Sequence, residues 1–182
     1  MKSILRAFNR SPKEDPWLYI VIAQYQRADF GLGQEQEFHW AIAIIESLRR
    51  AGYQHCRTYQ VFDRTYTAEN RTVWNIHVDK TAVLKRTAKW RGGVIIGRVK
   101  QSELAILDFI LSHHEPVVKY EGWTCRSWVM ECIELMTAKG WIPSEILSQE
   151  RLIPTLRLVN TISSRTTAAG EAPVIYELDQ GV

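Results

Sequence analysis

Two side chains in this chain invite chemistry together. His39 sits inside the apolar run "EFHWAIAII" (residues 37–45), and Cys125 lies at the head of "TCRSWVMECIELMTAKGW" (residues 124–141). An imidazole can take the proton of a thiol, and the thiolate can then attack an acyl carbonyl to form a thioester. The imidazole next protonates the leaving group and activates an acceptor. Water as acceptor makes a hydrolase; an amine, an alcohol or a second acyl chain makes a transferase.

The surroundings of each residue suit that role. Cys125, Trp128, Val129, Cys132, Ile133 and Met136 recur on one face at helical spacing, which predicts a helix. Thr124 can cap its start, Lys139 and Gly140 mark its end, and Pro143 follows. A helix start carries unsatisfied N–H groups and the positive end of the macrodipole, so it favours a thiolate over a thiol of pKa about 8.5. The same N–H groups could stabilise an oxyanion. "EFHWAIAII" reads as a strand. Alternation puts His39 with Ala41, Ala43 and Ile45, and sets Phe38, Trp40, Ile42 and Ile44 on the other side. Two alanines make the histidine side low. That predicts close packing of the Cys125 helix there, with sulfur and imidazole in contact.

Plainer readings stand beside this one. A histidine in a strand is more often a satisfied core residue, and a cysteine on an apolar helix face is more often simply buried. Cys132, deep in the stripe, is read that way, and nothing visible activates Cys56.

These residues need a frame. Strands are expected at "LYIVIAQY" (18–25), "FHWAIAII" (38–45), "RTYQVFDRT" (57–65), "TVWNIHVDK" (72–80) and "RGGVIIGRVK" (91–100). In the fourth, Trp74, Ile76 and Val78 share one face; Asn75, His77 and Asp79 share the other. "QRADFGLGQEQE" (26–37) is a polar loop that could lie over a cleft. The period then becomes helical: "SELAILDFILSHH" (102–114) with Ser102 as its cap, the Cys125 helix, and "SEILSQERLIPTLRLVN" (144–160), interrupted by Pro154. Strands followed by helices predict an α+β domain, an antiparallel sheet of about five strands with helices packed on one side. The boundaries expected are a flexible basic leader over 1–16, one domain over 17–160, and a flexible polar tail over 161–182, in which "VIYEL" is not counted as a strand.

Composition excludes several classes. The chain has 182 residues, 46% of them hydrophobic and 24% charged, with a net charge of +3. Mixed signs without a basic block interleaved with aromatics argue against nucleic-acid binding. No apolar run nears the ~20 residues of a membrane span. Three cysteines do not make a disulfide framework, so reduced thiols and a cytoplasmic location are expected. The first thirteen residues are basic and free of acids, which makes a mitochondrial presequence the alternative location. His113 and His114 are adjacent and point apart on a helix, so no metal is expected. "RGGVIIGR" ends in a strand rather than opening a helix, so it is not a nucleotide loop, and no cofactor is expected.

"HWAIAI" early in the sheet, followed by "TCRSWVMECIELM" on a later helix, resembles the circularly permuted papain-like fold of lecithin retinol acyltransferase-like proteins. Cell-wall peptidases of the NlpC type are wider, unpermuted relatives of that fold. The chain resembles more closely still an uncharacterised fungal family with "LY…HWA…C…WV" spacing. The resemblance covers about residues 17–142. It implies a hydrolase or acyltransferase acting on an amide, ester or thioester of a small-molecule, acyl or peptidyl substrate. Cys125 would be the nucleophile and His39 the base. It also implies a polar residue on the next strand that orients the histidine. Gln60 stands at the matching place, with Asp63 and His77 as the other candidates, and Thr124 stands where asparagine is usual. Trp40, Trp123 and Trp128 are candidate substrate contacts, or else core filler. Two other functions remain: a catalytically silent binding module on the same fold, or a biosynthetic enzyme using the pocket for cyclisation or condensation.

Overall fold

The structure is a computed structural model, and it describes residues 15–26, 38–47, 56–84, 89–146 and 148–178. Most of the basic leader (1–14) and of the polar loop (27–37) lies outside the described residues. Five strands follow one another: β1 (Trp17–Tyr25), β2 (His39–Ile45), β3 (Cys56–Tyr66), β4 (Arg71–Ala82) and β5 (Trp90–Lys100). Then come α1 (Leu104–His113), α2 (Cys125–Ala138), α3 (Gln149–Ala168) and a short strand, β6 (Ile175–Glu177). The sheet order is β4-β3-β2-β1-β5-β6. The first five strands pair antiparallel, as their alternation predicts, while β6 runs parallel to β5. The class is α+β, with a mixed sheet of six strands rather than an antiparallel one of five.

Both differences at the C-terminal end have a physical cause. "TISSRTTAAG" reads as loose because its residues are small and polar. In the structure α3 continues through it to Ala168, with Pro154 inside the helix, and Ser163 is fully buried. Ser163 Oγ accepts from Val174 N at 3.1 Å, and the Val174 carbonyl accepts from Gly93 N at 3.1 Å. Gly92 makes this approach feasible: its φ is +88°, and a Cβ there would collide with the Val174 carbonyl, Ser163 and Val159. "VIYEL" is thereby led onto the edge of β5, and residues 161–178 belong to the domain.

The two rows of each strand divide the core. Ile20, Ile22, Trp40, Ile42, Ile44, Tyr59, Val61, Val94 and Ile96 pack in one cluster with buried residues of all three helices. The opposite face carries a smaller cluster: Val21, Ala23, Ala43, Ile45, Cys56, Leu84, Trp90 and Ile95, with no residue from a helix. All three helices therefore cover a single face, as the α+β reading expects.

Local chemistry fixes the helices. At α2, Thr124 Oγ1 accepts from Arg126 N at 3.3 Å and Ser127 Oγ accepts from Thr124 N at 3.1 Å, a reciprocal capping box. Gly140 at φ +75° follows its end. Ser102 is not the cap of α1. It lies in a 3-10 turn, Gln101–Glu103, and donates its Oγ to Asp15 Oδ2 at 2.6 Å. Asp108 ties α1 to the sheet. It accepts from Tyr59 Oη at 2.9 Å and Lys80 Nζ at 2.7 Å, with Arg57 Nη1 3.7 Å away. Burial alone would raise this carboxyl, but Lys80, Tyr59 and Arg57 together hold it below its ordinary value.

Two outcomes follow. A Cβ at Gly97 would fall inside contact distance of the Trp141 carbonyl and 2.9 Å from Ile142. Gly97→Ala should cost about 1–3 kcal/mol, read as a lower urea midpoint. Asp108 has a folded pKa below its unfolded one, so its stabilisation is complete above about pH 4 and fades as pH falls through the lowered value. Urea unfolding between about pH 6 and pH 3 should show a steeper loss in the wild type than in Asp108→Asn, the two converging at the acid end.

Candidate functional site

The helix-free face of the sheet holds a cleft of about 380 Å³ across β1, β2, β3 and β4. Alternation and register build it. Tyr25 on β1 is the partner of His39 on β2. On β3 the same face carries Thr58, Gln60 and Phe62; on β4 it carries Asn75, His77 and Asp79, with Gln60 opposite His77 and Thr58 opposite Asp79. Gln26, Ala82, Val83, Leu84 and Lys89 complete the lining.

Four rings follow one another through this cleft. His39 stacks on Phe62, centroids 5.0 Å apart and planes 8° apart. Tyr25 lies 6.2 Å from His39 on one side, and His77 lies 5.9 Å from Phe62 on the other. His39 is only 8% exposed, whereas Phe62 is 45% exposed, a large apolar ring open to whatever enters. The imidazole Nε2–H of His39 donates to Gln60 Oε1 at 3.0 Å. An amide oxygen only accepts, so the bond fixes the tautomer and leaves Nδ1 as the acceptor of the neutral ring. Burial pushes the Tyr25 hydroxyl far above its ordinary value and keeps it protonated. Asp79 Oδ1 accepts from Thr81 N at 2.8 Å.

Of the residues singled out in the sequence, the structure brings His39 and Gln60 together. His77 shares their cleft two rings away. Asp63 borders it, although its register partner, Trp74, belongs to the helix side.

Cys125 is elsewhere. It begins α2, is 2% exposed, and packs in the helix-side cluster with Trp128 and Val129. His39 and Cys125 therefore lie on opposite faces of the sheet, and the expected thiol–imidazole pair does not form. β2 alternates as expected, but the row of Trp40, Ile42 and Ile44, not the row of His39, meets the helices. Trp40, Ile42 and Ile44 present far more apolar area than the alanine row, and burying that area against helices is worth more than close approach over alanine. Arg126 of α2 accordingly sits 6.0 Å above the Trp40 ring.

The three tryptophans expected as candidate substrate contacts also lie away from the cleft. Trp40, Trp123 and Trp128 are buried on the helix side and none lines the cleft. Trp123 Nε1 donates to Glu131 Oε1 at 2.8 Å, and Trp128 Nε1 donates to the His114 carbonyl at 2.9 Å. Glu131 also takes His114 Nε2 at 2.9 Å and Lys119 Nζ at 3.1 Å. Burial alone would raise the Glu131 carboxyl; its bonds to Trp123, Lys119 and His114 outweigh that and hold it low. This network fastens the 114–124 segment to α2 and has a structural role. His113 turns elsewhere, its Nδ1–H donating to the Phe109 carbonyl at 2.9 Å.

Residues 16–152 match the profile of a family of unknown function, DUF6914. The chain belongs to the DUF6914 family. No curated protein and no solved structure matches it. The matched DUF6914 region holds every lining residue of the cleft and ends in the first turn of α3.

Tyr25, Phe62, Asp79 and Lys89 were not singled out from sequence as cleft residues. The signal was present for Phe62 and Asp79, which share the period-2 rows of Gln60 and His77.

None of the three thiols is placed for attack. Burial pushes Cys56 up to about 11 and Cys132 well above its ordinary value, and Cys125 is covered by the core. Iodoacetamide should leave all three unmodified in the native DUF6914 chain and alkylate all three in urea, read by intact mass. Fast, selective alkylation of Cys125 near pH 6 would mark an exposed thiolate and contradict this placement.

Proposed function

We propose that this chain binds a small planar ligand in the cleft on the helix-free face, and that its thiols take no part. One observation carries this reading: Phe62, a large and half-exposed ring, stacks on a buried imidazole whose tautomer is fixed by Gln60. Ring faces are good surfaces for flat ligands, and a few aimed polar groups give such a ligand its orientation. Nδ1 of His39 would accept from a donor on the ligand. Phe62 and His77 would supply the stacking surface, with Asp79 and Lys89 as polar groups of the lining. A cleft of about 380 Å³ is at the lower end of the usual range for small-molecule sites.

The cysteine-dependent hydrolase or acyltransferase expected from the sequence lacks its pair, because His39 and Cys125 occupy opposite faces. A second reading keeps one observation in its favour. The Gln60-oriented imidazole is what a thiol-independent cyclisation or condensation would use to take a proton.

The test is ligand-observed NMR with a library of planar heteroaromatic fragments. At least one fragment should bind the wild type and Cys125→Ala alike. Its signal should vanish with Phe62→Ser, and its affinity should fall about tenfold with His39→Ala, equivalent to about 1.4 kcal/mol. No bound fragment, or binding indifferent to Phe62, overturns the reading.

A further inference from the structure

β4 forms one border of the sheet and has no strand on its outer side among the described residues. It runs over twelve residues without proline, and its pairing with β3 is continuous from Arg71 to Asp79. Natural sheets blunt such borders with short strands, prolines, bulges or charged side chains, because a row of unpaired N–H and C=O groups recruits another strand. Between Arg71 and Asp79 β4 has no proline and no bulge, and its charges there stand only at the two ends and are of opposite sign. Its helix-side residues Trp74, Ile76 and Val78 also remain only half-buried.

We propose that β4 is a homodimer edge, pairing antiparallel with β4 of a second copy about a two-fold axis through Asn75. The occupant is argued from charge and side-chain complementarity. A two-fold perpendicular to the sheet places residues of the same parity opposite each other, so both copies keep their helices on one side. With Asn75 facing itself, Arg71 lies opposite Asp79 twice, Val73 opposite His77 twice, and Trp74 opposite Ile76 twice. Opposite charges and aromatic–aliphatic neighbours are favourable cross-strand pairs. Sliding by two residues one way puts Asp79 opposite Val73 and Arg71 opposite Thr81. Sliding the other way puts Asp79 opposite Glu69, a like charge. The charge pattern thus selects one register.

Both ionic partners retain capacity. Arg71 uses Nε and Nη2 on Glu69 Oε2, at 3.1 and 2.9 Å, in an exposed ion pair of little intrinsic worth. Asp79 uses Oδ1 on Thr81, which leaves Oδ2 for a further donor. Asp79 also lines the cleft, so Arg71 of the second copy would stand at its rim and contribute a cation to it. The dimer edge is independent of the ligand-binding reading and stands or falls by itself.

Cross-linking tests the register directly. Cys56, Cys125 and Cys132 are all buried, so Asn75→Cys introduces the one exposed thiol among the described residues. Opposed Cβ atoms across an antiparallel pair lie within disulfide reach. Mild oxidation of Asn75→Cys should give a covalent dimer on a non-reducing gel, and Thr72→Cys, whose partner would be Val78, should not. Light scattering should read twice 21.1 kDa for the wild type at concentrations on the order of 100 μM. Asp79→Arg should return it to monomer, and Arg71→Asp combined with Asp79→Arg should restore the dimer. A wild-type mass of one chain, or cross-linking of Thr72→Cys but not of Asn75→Cys, overturns the proposal.

Discussion

The architecture turns on how β2 shares its two rows. Every residue of this strand is buried, so both faces must be covered, yet the rows differ greatly in bulk. Trp40, Ile42 and Ile44 bring three large apolar surfaces; His39, Ala41, Ala43 and Ile45 bring one polar ring, two methyl groups and a single branched aliphatic chain. Apolar area removed from water is the main favourable term in folding, and helices are the elements with enough complementary area to cover the bulky row. Once α2 lies over Trp40, the fate of the other row follows. It receives a thinner covering, from Leu84, Trp90 and neighbouring strand residues, and a recess remains beside His39. The cleft is thus a by-product of unequal packing on one strand.

Much of the fold was legible. Period-2 runs marked five strands to within a residue or two, and the helical stripe with Thr124 before it marked α2 and its cap. These features depend on contacts near in sequence. Pro154 and the polar run after Asn160 argued for an early end to α3, and local propensity was outweighed there by Ser163 and Asn160 packing into the core. β6 was hidden for a similar reason. Its anchor is the Gly92 notch, which matters only once α3 is in place.

The candidate site divides in the same way. The His39–Gln60 contact was expected from the resemblance, which implies an orienting polar residue on the strand after the histidine's, and the contact is present in the structure. The position of Cys125 required knowing which side of the sheet the helices choose, and alternation is silent about that. Comparing the bulk of the two rows would have indicated the side. The short motifs "HWA" and "TCRSW" carry no such information, because a one-residue change of parity would leave each intact while moving the imidazole to the other face.

β6 has a consequence for how the chain reaches its final form. It pairs parallel with β5, but α1, α2 and α3 all intervene in the chain. Contacts of such wide sequence separation form late, since the intervening loop must close before any pairing is gained. During synthesis the β5 flank therefore stays open until the segment beyond residue 174 has left the ribosome and α3 has docked. A nascent chain stalled before that point would leave the Gly93–Ile95 margin of β5 unpaired, a short stretch of open backbone able to recruit another strand.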